Sequence, residues 1–353
     1  MTKNDLIQRI GGLSRVKALA ESDGSVPFDE LLSGSGDVRS SLLSACGHVQ
    51  RVNPKWFDSF CKKRLQGEKD PRNILAALGE LRAYADLLSL SGISVRPHDA
   101  STSGSDFTLV KNNDAIAKVE VFTLLPRPNS SMEIGGGVVD VTPLTNRASE
   151  RPVASIAKDA ISKICGIKED EHQVDVGVPT IYYVDVQDLL GGFSFKEMFL
   201  PLTSQNGAVF SGNFYQAFYG NKGDAVLEGS RAGDPHVNKM EHAGRYQNKE
   251  PSLATAFLFR MAAGSSRCLD PLVCFENPRK PLPQRLSQIL SSCDLFNWDL
   301  SVSNMSKGSV SKFVSISNRV INAVESYMNV TTDKPLVFAR FLDWLYEVVK
   351  RRC

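Results

Sequence analysis

An α/β protein, a small mixed sheet with helices on its faces, is the fold class this sequence predicts, and three observations carry the expectation. Ile74, Leu78, Leu81, Ala85 and Leu88 form one apolar stripe at helical spacing. Phe107-Thr108-Leu109-Val110 and residues 115–125 flank a polar Lys111-Asn112-Asn113-Asp114 turn, the pattern of a β-hairpin. Residues 180–186 follow Pro179 as a short, mainly apolar run of the kind a buried strand carries. Helix, hairpin, helix and buried strand in that order describe a layered α/β core.

Residues 1 to about 70 read as short helices, with Leu6, Ile10, Leu13 and Val16 at helical spacing. Ser33-Gly34-Ser35-Gly36 is a break, after which Asp37 can cap a helix carrying Leu42, Leu43 and Cys46. A basic stretch follows: Arg51, Lys55, Lys62, Lys63, Arg64, Lys69 and Arg72, set against Asp58, Glu68 and Asp70. It is either a solvated helix face or a path for a phosphate backbone. The helix over residues 74–88 is expected to end with Gly92 in the place of a C-cap glycine, and residues 93–96 to form a short strand.

Further along, residues 126–152 are rich in Pro, Gly, Ser and Asn and read as a long loop or a weak hairpin around 138–141. Ile156, Ala160, Ile164 and Ile167 share one face of a helix expected over 153–167. Phe210, Phe214, Tyr215, Phe218 and Tyr219 suit a short capped helix packing inward better than a base-stacking platform. Residues 220–250 are polar and read as a mobile insertion, and residues 254–259 as a strand. From about residue 284 the pattern is helical to the end, closing with Phe338, Phe341, Leu342, Leu345 and Val348. The expected organisation is a helical segment over 1–70, an α/β core over 71–283 with insertions at about 126–152 and 204–250, and a helical segment over 284–353.

Composition narrows the classes of function. The chain has 353 residues, 42% hydrophobic and 23% charged, as globular proteins do. A net charge of +2 offers no global field for a nucleic acid or a membrane, so such a partner would need a local patch. No run of about 18 apolar residues is present, so no membrane partner is expected. The seven cysteines are scattered without a C-x-x-C pair, as in a reduced chain. The opening residues lack an apolar signal core, and a cytoplasmic location is expected.

The chemistry is expected between residues 79 and 123. If the hairpin turns through three residues, Asp106 lies directly opposite Glu120 on one face; a two-residue turn would put Glu120 on the other. Two carboxylates roughly 5 Å apart repel, and a hard divalent cation bound through oxygen relieves them. Mg²⁺ takes one or two carboxylates together with waters and phosphate oxygens, which suits hydrolysis of a phosphodiester. Glu80, at the margin of the apolar stripe, can supply a third carboxylate. The plainer alternative is a solvated Glu80, a turn-side Asp106 and an edge-strand Glu120. Other clusters are weaker. His236 and His242, near Asp234 and Glu241, lie in a glycine-containing polar stretch that fixes no ligand geometry. Gly135-Gly136-Gly137 lacks the Gly-Lys-Ser/Thr of a phosphate loop.

In this ordered combination the sequence resembles the PD-(D/E)XK, or restriction-endonuclease-like, nuclease superfamily over roughly residues 72 to 190. The resemblance rests on Glu80 in Gly-Glu-Leu-Arg-Ala-Tyr, Asp106 in Gly-Ser-Asp-Phe-Thr-Leu and Glu120 in Lys-Val-Glu-Val-Phe-Thr. The later Asn277-Pro278 and Pro281-Leu282-Pro283 resemble the ending of some bacterial members. The resemblance implies a restriction-endonuclease-like mixed sheet core flanked by helices, with helical N- and C-terminal additions. It implies a metal-dependent nuclease whose Glu80, Asp106 and Glu120 hold Mg²⁺ or Mn²⁺. The expected partner is a nucleic acid, DNA ahead of RNA, and the chain is a candidate homodimer. One position departs from the pattern: the lysine of Glu-x-Lys is replaced by Phe122. Lys118 on the same strand face, or Lys158 or Lys163 on the following helix with Lys163 the better placed, can stand in as the catalytic cation. Without a substitute the alternative is an inactive nucleic-acid-binding or protein-interaction module that keeps the nuclease fold.

Overall fold

In the computed structural model, Gly11 (φ 116°) and Gly12 (φ 97°) split the opening helical stripe in two. The structure describes residues 1–23, 28, 31–32, 37–98, 105–125, 162–167, 177–186, 203–205, 208–210, 213–220, 222, 225–228, 236–239, 243–247, 252–260, 272–290 and 294–296. They fall in two units. Unit 1 takes Met1–Arg151, Asp175–Ser194 and Leu258–Leu272; unit 2 takes Pro152–Val174, Phe195–Phe257 and Val273–Cys353.

Unit 1 begins with α1 (Lys3–Ile10), α2 (Leu13–Asp23) and α3 (Asp37–Val52). Thr2 and Asp5 form a capping box on α1, which satisfies two of the amide groups a helix start leaves open. Next, α4 (Pro54–Phe60) starts from an Asn53 cap with Pro54 in its first turn, and runs on as a π-helical turn over Cys61–Gln66. Burial pushes the Cys46 and Cys61 thiols up to about 12, so both are inert packing residues.

Helix α5 (Pro71–Leu88) carries the expected stripe, yet it is buried on nearly every side from Ile74 to Leu87 because α3 and the sheet both pack on it. Gly79 allows that close approach. A Cβ there would lie 2.0 Å from Thr123 Oγ1 and 2.9 Å from Asp185 Oδ2. The helix stops at Leu88 with Ser89 as its cap, and Gly92 (φ 77°) instead turns the chain toward the sheet.

The sheet opens with β1 (Ser94–Pro97), β2 (Phe107–Lys111), β3 (Asp114–Thr123) and β4 (Thr180–Asp185). The β1–β2 and β2–β3 pairs are antiparallel, and β3–β4 is parallel with Glu120 beside Tyr182. The hairpin turn holds two residues rather than three. Asn112 (φ 54°) and Asn113 (φ 68°) both take the left-handed conformation, as the favoured two-residue hairpin turn requires. The register then shifts between Leu109 and Val110, which restores Leu109↔Ala117, Thr108↔Lys118 and Phe107↔Val119. Carried one residue past the last pair of the ladder, this register sets Asp106 opposite Glu120, through a turn and a bulge that together replace the three-residue loop.

Unit 2 contains the hairpin β5 (Thr203–Gln205) and β6 (Ala208–Phe210), helix α6 (Asn213–Tyr219) and the hairpin β7 (Ala225–Glu228) and β8 (His236–Lys239). The expected mobile insertion at 220–250 thus holds a paired hairpin. In α6, Phe214, Tyr215, Phe218 and Tyr219 are buried, and Phe218 stacks on Phe275 at 4.7 Å between ring centres. Strand β9 (Ala256–Arg260) matches the expected strand and continues the unit 1 sheet in the order β1-β2-β3-β4-β9. Next come β10 (Leu272–Glu276), α7 (Gln284–Ile289) and β11 (Asp294–Phe296), which pairs parallel with β10.

The run from 284 is therefore not helical throughout, since Asp294-Leu295-Phe296 is recruited to a strand edge. Asn277 donates to Ser252 O and Ala254 O, and Glu276 accepts from Leu282 N at 2.7 Å. The Asn-Pro…Pro-Leu-Pro segment thus ties unit 2 together. The readings at 126–152, 153–161 and 338–348 lie outside the described residues. The architecture is a mixed parallel and antiparallel sheet with flanking helices, an α/β fold.

Candidate functional site

The site starts from aromatic packing. Tyr84 of α5 stacks on Phe107 of β2 at 5.1 Å, and Trp56 of α4 meets Tyr84 edge-on at 4.8 Å. One turn before Tyr84 on α5 lies Glu80, and one residue before Phe107 lies Asp106, so the stacked rings bring the two carboxylates into one neighbourhood. Trp56 also packs on Phe60 at 4.7 Å. Four residues after Phe60, in the π-helical turn, Arg64 reaches back and forms an ion pair with Glu80 Oε1.

The electrostatics follow from burial. Glu80 is only 17% exposed. Burial, and then the negative charge of Asp106, push its pKa up from 4.5 to about 7, while Arg64 pulls it the other way. Asp106 is raised too, chiefly by burial, and this is opposed by the Val121 N–H, Arg64 and His98. Its Oδ2 accepts that N–H at 2.7 Å, and its carbonyl accepts from His98 N at 2.9 Å. Two buried acids thus share one guanidinium and one amide donor.

Glu120 is half-buried on β3, with Oε2 shut off from solvent, and sits opposite Asp106 by register. Strand alternation puts Glu120, Lys118 and Phe122 on the face turned away from α5, because Thr123 and Val119 have the other parity and Thr123 Oγ1 lies against Ala76 of α5. Phe122 packs edge-on against Tyr182 at 5.1 Å. Lys118 pairs across Thr108 and Thr180 and shares the face of Glu120. Lys163 belongs to unit 2, and Lys158 lies outside the described residues. Among the described residues no three His, Cys, Asp or Glu side chains converge as a metal cage. His236 is on β8, and His242, Asp234, Glu241 and the Gly135-Gly136-Gly137 run lie outside the described residues.

Sequence reasoning missed two features. Arg64 reads as one cation among seven in a basic stretch, and only its four-residue step from Phe60 marks its direction. The second is a buried network behind the site: Asp185 Oδ2 accepts from Arg82 Nε at 2.7 Å and Nη2 at 2.5 Å, and Tyr183 donates to Asp86 Oδ2. The i, i+4 spacing of Arg82 and Asp86 facing a strand that ends in Asp185 is its only trace in the sequence.

Compared with family models, curated proteins and solved structures, the chain matches none. What the fold and the site define is a class: an α/β protein with a mixed sheet, whose first helix–hairpin junction encloses a charged cluster of Glu80, Asp106 and Arg64. No helix among the described residues is long and apolar enough to cross a membrane.

Proposed function

We propose that the chain is a metal-dependent nuclease of the restriction-endonuclease-like class, acting on DNA ahead of RNA. The observation that carries this reading is a pair of buried acids, Glu80 ion-paired to Arg64 and Asp106 bonded to the Val121 N–H, with Glu120 on the neighbouring strand of the hairpin. Oxygen donors of this kind fit Mg²⁺ or Mn²⁺, which need one or two carboxylates and complete their shells with water and phosphate oxygens. Asp106 is the central ligand in this reading, joined by Glu80 from α5 or by Glu120 from β3, so that two carboxylates hold the cation. When bound, the cation supplies an activated water and neutralises charge on the phosphate.

Hydrolysis consumes one water. Its oxygen bonds to phosphorus, the ester P–O bond breaks, and its protons end on the new phosphate and on the released hydroxyl. The exposed Lys62 and Lys63 lie in the same turn as Arg64 and offer a basic approach for the polyanion. A homodimer, able to cut two strands, is part of the proposal.

The test is cleavage of plasmid DNA and of single-stranded RNA with Mg²⁺ or Mn²⁺. Asp106→Ala and Glu120→Ala are expected to abolish cleavage while leaving Tm unchanged or slightly raised; Asp106→Ala removes the negative charge that acts on Glu80. Wild type that cuts neither substrate, or variants that cut as it does, would overturn the reading. A variant that unfolds would mark a structural residue instead. The second reading, a module that binds without cutting, is favoured by the Phe122–Tyr182 packing where a cation is wanted. Salt-dependent binding without cleavage is its signature.

A further inference from the structure

We infer that Arg64 is the phosphate-facing cation of this site, held by Glu80 at rest and transferred to the scissile phosphate when a divalent cation takes over the carboxylates. This rests on the nuclease reading above. Phosphodiester hydrolysis builds negative charge on the phosphate oxygens, and a fixed cation aimed at that charge is among the largest contributions an enzyme makes. Beside Glu120 on β3, Phe122 is committed to packing against Tyr182. Arg64, by contrast, is bonded to one carboxylate of the cluster and acts electrostatically on a second, Asp106.

Three features suit it to the task. Its side chain is 38% exposed while Glu80 is 17% exposed, so the guanidinium spans the boundary between the buried acids and solvent, where a polyanion arrives. It sits in a π-helical turn, a rare departure that inserts an extra residue into the helix and re-aims the side chains that follow. Its planar fork of N–H donors matches a phosphate as well as it matches a carboxylate. The exchange follows from charge. Two acids and one guanidinium leave an excess of negative charge; a divalent cation added to them reverses the excess and weakens the hold of Glu80 on Arg64. The anion that then completes the balance is the phosphate.

The experiment uses the full chain and two readouts, Mn²⁺ affinity and the single-turnover rate of DNA cleavage. Arg64→Ala is expected to bind Mn²⁺ at least as tightly as wild type, because a competitor for Glu80 is gone, while the cleavage rate falls by about 10²-fold or more. Arg64→Lys is expected to recover part of the rate, since it restores the charge but not the fork. If Arg64→Ala fails to fold, Arg64→Gln takes its place. The inference is overturned if the Arg64 variants cut at the wild-type rate, if their loss of rate merely follows a loss of Mn²⁺ affinity, or if the loss appears in Lys118→Ala or Lys163→Ala instead. A wild type that cuts nothing overturns the nuclease reading itself, and that result is read before any Arg64 comparison is made.

Discussion

Replacing Asp185 with Ala is expected to destabilise the protein by about 3–5 kcal/mol, because it leaves the Arg82 guanidinium buried without the carboxylate that compensates it. Arg82 is 2% exposed and Asp185 fully buried, so water cannot take over the role of the lost partner. At about 2–4 °C per kcal/mol for a domain of this size class, Tm should fall by roughly 10 °C. The double variant Arg82→Met with Asp185→Leu should regain most of that loss, since an apolar pair needs no desolvation of charge. Thermal unfolding of the three proteins checks both statements. A mild Asp185→Ala, or a double variant worse than the single one, would mean that this pair does not hold α5 to β4.

The second expected result concerns pH. Glu80 has a folded pKa of about 7 against an ordinary value of 4.5, so between these values the folded chain binds more protons than the unfolded one. The contribution of Glu80 is therefore complete below about pH 4.5 and is lost as pH rises through about 7, a span worth about 3 kcal/mol. Asp106, raised in the same direction, adds to the fall. In the presence of a chelator, Tm should drop between pH 5 and pH 8, and Glu80→Gln should flatten the drop. Equal slopes in the two proteins would remove Glu80 from the account. A divalent cation bound here, as proposed, would stabilise the charged form of both acids and oppose this fall.

Much of unit 1 was legible from apolar spacing: the 74–88 helix, the hairpin and the buried strand all stand close to their expected bounds. The register of Asp106 and Glu120 was legible for an incomplete reason. Asn112-Asn113 suits a two-residue turn, because asparagine tolerates positive φ, but the compensating shift at Leu109/Val110 is a backbone event without a residue signature. Helix α5 is buried beyond its apolar stripe because α3 also covers it, and helical spacing cannot report a second packing partner. Strand β10 escaped notice because Leu272 to Glu276 is a short apolar run that helix and strand patterns share. Arg64 was visible only as charge; its pairing with Glu80 depends on the π-helical turn, which composition does not encode.

The claim on which the functional account rests is that Asp106, together with Glu80 or Glu120, holds a divalent cation. Calorimetric titration of Mn²⁺ into the wild-type protein at pH 8, beside Asp106→Ala, tests it without reference to any substrate. The account predicts one saturable Mn²⁺ site per chain in the wild type and its loss in the variant. Absence of binding in a folded wild type, or undiminished binding in Asp106→Ala, would contradict it.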